Sequence, residues 1–77
     1  MDKPLCVHAE WDAEARVWVA TSFDVPGLAT EADSVEALVD KLEIVIPELL
    51  EANGVPFKTA VAFEVLARRF DQVRPAA

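Results

Sequence analysis

Residues 33–54, DSVEALVDKLEIVIPELLEANG, spell an amphipathic helix with both of its ends marked. Val35, Leu38, Val39, Leu42, Val45, Ile46, Leu49 and Leu50 recur at the i, i+3, i+4, i+7 spacing that gathers side chains on one stripe. Asp33 stands three residues ahead of Glu36, which is a capping box in form, and Asn53-Gly54 supplies a residue able to take the left-handed conformation that ends a helix. Pro47 deletes the hydrogen bond to the Glu43 carbonyl. At about 100° per residue it falls on the solvent side, where a bend around the core is tolerated best.

Working outward from this helix, the flanking segments read as strands. Upstream, Leu5-Cys6-Val7-His8-Ala9-Glu10-Trp11 alternates apolar and polar residues, Asp12–Arg16 is a polar loop, and Val17–Ser22 is β-branched and aromatic, so the two runs make a hairpin. Asp24-Val25-Pro26-Gly27 joins a fixed proline φ to a glycine free to take φ > 0, the chemistry of a type II turn. Leu28–Ala32 then forms a short third strand. Downstream, the odd positions Phe57, Thr59, Val61, Phe63 and Val65 are apolar or β-branched while Lys58, Glu64 and Arg68 hold even ones, which predicts a last strand between Phe57 and Arg69. The expected fold is therefore α+β, in the order β-β-β-α-β, with an antiparallel-type sheet and one long helix packed on one face. It spans a single domain over residues 1–70, followed by a frayed tail over 71–77.

A chain of 77 residues buries only about 60% of its unfolded surface, so its core is thin. Its 53% hydrophobic content argues against disorder and for self-association, with a dimer or larger homo-oligomer as the expectation. Cys6 is the single cysteine, which excludes an internal disulfide and favours a reducing, cytoplasmic setting. No apolar run approaches the length of a membrane span, and Met1-Asp2-Lys3-Pro4 does not begin a signal peptide. The net charge of −7 is uneven: residues 1–54 carry 12 acidic and 3 basic side chains, residues 55–77 carry 2 acidic and 4 basic. Such an anionic body repels phosphate backbones and suits a basic protein partner.

Candidate chemistry is sparse. Glu10, Asp12, Asp24, Glu36 and Asp40 have no spacing that requires a hydrolytic site, and each has a turn, cap or surface role available. Cys6, His8 and Glu10 share one strand face, but three neighbours on one strand do not wrap a tetrahedral ion unaided. No cofactor, metal site or catalytic residue is expected. If the odd residues of the first two strands face the helix, Trp18 stands on the opposite face with Cys6 and His8. That bare face, lined by Cys6, His8, Trp18, Ala20, Ala60 and Ala62, is then a candidate interface; a core Trp18 with the register reversed is the alternative. Ile44 lies opposite the helix stripe beside Asp40, Pro47 and Glu51, a second candidate contact surface.

The ordered set Trp18-Val19-Ala20, Asp24-Val25-Pro26-Gly27 and Ala32-Asp33-Ser34-Val35-Glu36-Ala37-Leu38 resembles the HicB-like antitoxin family, in particular a compact bacterial branch of unknown function within that superfamily. The resemblance covers residues 5 to about 66. It implies a degraded RNase H-like domain, without enzymatic activity, that sequesters a small basic RNA-cleaving toxin of the HicA type. Two other readings stay open: a small hydrolase with a vestigial carboxylate site among Glu10, Asp12, Asp24 and Asp40, and a nucleic-acid binder using Arg68, Arg69 and Arg74.

Overall fold

In the computed structural model, which describes residues 3–76, the elements are β1 (Leu5–Asp12), β2 (Val17–Thr21), β3 (Ala29–Ala32), α1 (Val35–Ala52) and β4 (Phe63–Arg68). Met1, Asp2 and Ala77, the ends of the expected domain and tail, lie outside the described residues. The α+β class and the β-β-β-α-β order are as expected. One sheet holds the strands in the order β3-β2-β1-β4, with α1 on one face.

The sheet is mixed, not antiparallel throughout: β1 pairs antiparallel with β2, and β2 with β3, but β4 runs parallel to β1. Direction follows from connectivity. After three alternating strands, α1 and residues 53–62 carry the chain back to the end where β1 starts, so Phe63 pairs with Leu5. The same register explains why β4 begins six residues later than Phe57. Extended backward, it sets Ala62 beside Pro4 and Val61 beside Lys3, ahead of the start of β1 at Leu5, so residues 57–62 have no partner strand to pair with.

The hairpin reverses the expected placement of Trp18. Its pairs are Ala9 with Ala20 and Trp11 with Trp18, so odd residues of β1 share a face with even residues of β2. The cause is the loop of residues 13–16, whose even count makes paired residue numbers sum to an odd value. Asp12 organises it: its Oδ1 accepts from the N–H groups of Glu14 and Ala15, its carbonyl accepts from the Arg16 N–H at 2.7 Å, and Arg16 takes φ +60°. Trp18 and Ala20 therefore lie on the helix side. Ala20 is fully buried, and Trp18 is half-buried against Trp11 in an edge-on pair, centroids 5.4 Å apart.

Helix α1 starts one residue later than the Asp33 box implies. Ser34 is the N-cap, accepting from the Ala37 N–H at 3.1 Å, and Glu36 becomes a first-turn acid that complements the helix dipole. The helix continues through Pro47 to Ala52, and Asn53 caps it. Leu38, Leu42, Ile46 and Leu50 are buried with Val7, Ala9, Ala20, Val25, Leu28 and Ala32 in one core. Small sheet residues against large helix residues allow close approach of the two layers. The turn before β3 is closed by the Leu28 N–H donating to the Val25 carbonyl, with Gly27 at φ +86°. Asn53 also donates its side-chain N–H to the Pro26 carbonyl at 3.0 Å, tying the helix end to this turn.

Candidate protein-binding site

The uncovered sheet face is a mixed polar surface built by alternation. It presents Cys6, His8, Glu10 and Asp12 from β1, Val17, Val19 and Thr21 from β2, and Glu64, Leu66 and Arg68 from β4. Cys6 and His8 are neighbours here as their spacing predicts, with Sγ 3.7 Å from Nε2. Partial burial, with the Glu64 and Asp24 carboxylates close by, pushes the Cys6 thiol above its ordinary pKa. It is accordingly a protonated, weak nucleophile at neutral pH. Trp18 and Ala20 are absent from this face, and Ala60 and Ala62 precede β4, with Ala60 on the helix side. The expected ring of alanines around a tryptophan does not form.

The other candidates fall together. Asp40, Ile44, Pro47 and Glu51 share the outer stripe of α1; Asp40, Ile44 and Glu51 are exposed, Ile44 by 66%, and Pro47 is half-buried. Beside them lies what sequence periodicity missed. Residues 53–62 do not join the sheet but cross beside the helix, leaving two adjoining depressions of about 250 and 310 Å³ that share Pro47 and Phe57. The first is floored by Leu42, Ile46 and Leu50 and walled by Val61 and Phe63; the second is edged by Val55 and Glu51. Phe57 and Val61 each remain 42% exposed. The missing signal was the parallel register itself, which leaves residues before Phe63 without a partner because β1 begins only at Leu5.

The groove is electronegative at its rim. Helix α1 carries Glu36, Asp40, Glu43, Glu48 and Glu51 against a single Lys41, and no basic residue occupies its last turn. Glu43 lines the first depression and Glu51 the second, where Glu51 adds to the negative end of the helix dipole next to Pro47 and Val55.

With this geometry in view, the family match is informative over nearly the whole length: the family described as Domain of unknown function (DUF1902) matches residues 4–75. The chain belongs to the DUF1902 family. It is similar to the crystal structure of the hypothetical protein TTHA1013 from the extremely thermophilic bacterium Thermus thermophilus, with 47% identity, a TM-score of 0.71, and coverage of 94% of this chain and 99% of that one. No curated protein matches the chain.

Within the DUF1902 fold the carboxylates considered for a hydrolytic site do not converge. Asp12 is committed to the hairpin loop, Asp24 to the Cys6 N–H, Asp40 lies on the outer helix face, and Glu10 on the opposite side of the sheet. Among the described residues no group of three His, Cys, Asp or Glu side chains is placed to hold a metal ion. Arg68 stacks over Phe70 and Arg69 over Trp11, with Arg69 also paired to Asp71 at 2.7 Å. No helix among the described residues is long and apolar enough to cross a membrane.

Proposed function

We propose that this DUF1902 chain is a non-enzymatic, cytoplasmic protein-binding module that captures a small basic protein in the groove between α1 and residues 55–63. The observation that carries the reading is the conjunction of an apolar cleft with exposed Phe57 and Val61 and an acidic rim from Glu43 and Glu51. Apolar anchors surrounded by uncompensated charge give a partner both burial and electrostatic steering. The sequence resemblance to HicB-like antitoxins supports the same class of partner, a compact basic toxin of the HicA type.

Co-expression with a short basic reading frame adjoining this gene tests the proposal. A complex that survives purification at low salt, and is lost in a Phe57→Ser variant that still folds, is the expected result. An adjoining product that does not co-purify, or the lack of any such frame, counts against it.

A further inference from the structure

The two edges of the sheet differ. Strand β3 is four residues long, and Lys41 reaches from α1 to hydrogen-bond the Glu31 carbonyl at its margin. Strand β4 has six residues and pairs only with β1. The Leu5 N–H donates to the Ala62 carbonyl, which fixes the phase of the ladder. Even-numbered groups of β4 point at β1, while the N–H and carbonyl groups of Phe63, Val65 and Ala67 point outward from the free edge. A long, unblocked edge with a half-exposed apolar centre is a template for another strand, and here Leu66 is 52% exposed.

The order of side chains along this edge specifies the strand that fits. We propose that two copies of the chain join edge to edge through β4, antiparallel about Leu66, so that Glu64 of each copy faces Arg68 of the other. A two-fold axis perpendicular to the sheet requires residues of equal parity to be opposed. Centring on Leu66 opposes residues whose numbers sum to 132: Leu66 with itself, Val65 with Ala67, and Glu64 with Arg68 twice over. Val65 and Ala67 are then the hydrogen-bonded pair, as their outward backbone groups require, and Leu66 and Glu64–Arg68 are the closer non-bonded pairs. Centring on Val65 instead would set Glu64 against Leu66 and leave both charges unmatched. The register about Leu66 therefore combines a hydrogen-bonded ladder, an apolar centre and two complementary charge pairs.

The shape of the chain is a second, independent observation. Its radius of gyration is 15.0 Å and its extents are 59 × 27 × 19 Å, whereas a compact chain of this length has a radius of about 11–12 Å. Beyond Arg69, Phe70 and Val73 are 80% and 98% exposed, so the tail is not packed on its own body. In the proposed pairing Phe70 reaches Ala62 of the second copy, covering an edge that its own chain leaves bare. The ladder stops there, because its continuation would oppose Arg74 to Lys58. The result is one eight-stranded sheet with α1 of both copies on the same side. This surface adjoins the groove of the proposed function at Phe63 but rests on other residues, so the Glu64 and Arg68 exchange tests the dimer while Phe57→Ser tests the groove.

The test is a charge exchange read by light-scattering mass on the full chain at about 100 μM, above the micromolar dissociation constant of a modest interface. Wild type should have twice the 8.4 kDa chain mass. Glu64→Arg alone and Arg68→Glu alone should each halve it, since like charges then face one another. The double variant Glu64→Arg/Arg68→Glu should restore it. Val65→Pro, which removes an outward N–H unused within one chain, should also give a folded monomer and serves if a charge variant fails to fold. A monomeric wild type, single variants that remain dimeric, or a double variant that stays monomeric overturns the proposal.

Discussion

The Asp24 carboxylate accepts the Cys6 N–H at 2.7 Å, although 18 residues separate them in sequence. Ser22 completes the arrangement by donating its hydroxyl to the Cys6 carbonyl while accepting from the Asp24 and Val25 N–H groups. Strand β2 has ended at Thr21, so two side chains continue the ladder where its backbone leaves the sheet. The turn into β3 is thereby fixed to the start of β1, beside the Val25 that the core buries completely.

Asp24→Ala should consequently lower stability by about 1–2 kcal/mol, the value of a charge-assisted hydrogen bond discounted for exposure, and Asp24→Asn should recover part of it. Urea unfolding measures this. A midpoint unchanged by Asp24→Ala would mean that the turn holds without the carboxylate.

Leu42 is fully buried at the centre of the helix stripe. Leu42→Ala should cost about 2–5 kcal/mol, a large share of the stability of a domain this small. A loss below about 1 kcal/mol in the same unfolding experiment would contradict the packing described.

Trp18 now belongs to the stability of the single chain. Trp18→Ala removes the edge-on contact with Trp11 and part of the helix-side surface, and should cost about 2–4 kcal/mol. Its mass in solution should match wild type at concentrations where it stays folded. A folded Trp18→Ala variant with halved mass would return Trp18 to an interface.

The Cys6 thiol should react slowly with a disulfide reagent at pH 7.5, because burial and the Glu64 and Asp24 charges disfavour its thiolate. Raising pH should accelerate the reaction with a midpoint above that of the unfolded chain. Glu64→Gln removes one of these charges, lowers the thiol pKa and should increase the rate at fixed pH. An unchanged rate would show that Glu64 does not act on the thiol.

How much of this was legible in the sequence divides along physical lines. The helix was, because its stripe repeats over eighteen residues and Leu38, Leu42, Ile46 and Leu50 all reach the core. The turn at Pro26-Gly27 was also legible, since only glycine is at ease at φ +86°. The face of Trp18 was not, because alternation within each strand says nothing of their relative phase, and that phase rests on whether the loop after Asp12 holds an even or odd number of residues. The extent of β4 was overread for a related reason: period two at Phe57, Thr59 and Val61 describes a backbone that is extended, whereas pairing needs a partner strand, and β1 begins only at Leu5. The groove was invisible in turn, since it exists because residues 53–62 stay out of the sheet. Asp40, Ile44, Pro47 and Glu51 were legible as a stripe, but not the cleft beside them.

The most direct measurement of the proposed function is isothermal titration of the chain with the purified basic protein encoded beside it, at about 50 and about 300 mM salt. The expected outcome is a dissociation constant at or below about 1 μM at low salt, weaker binding at high salt, and at least a tenfold loss on Phe57→Ser or on the pair Glu43→Gln/Glu51→Gln. Binding that is absent at about 100 μM, or that is indifferent to both salt and these substitutions, would contradict it.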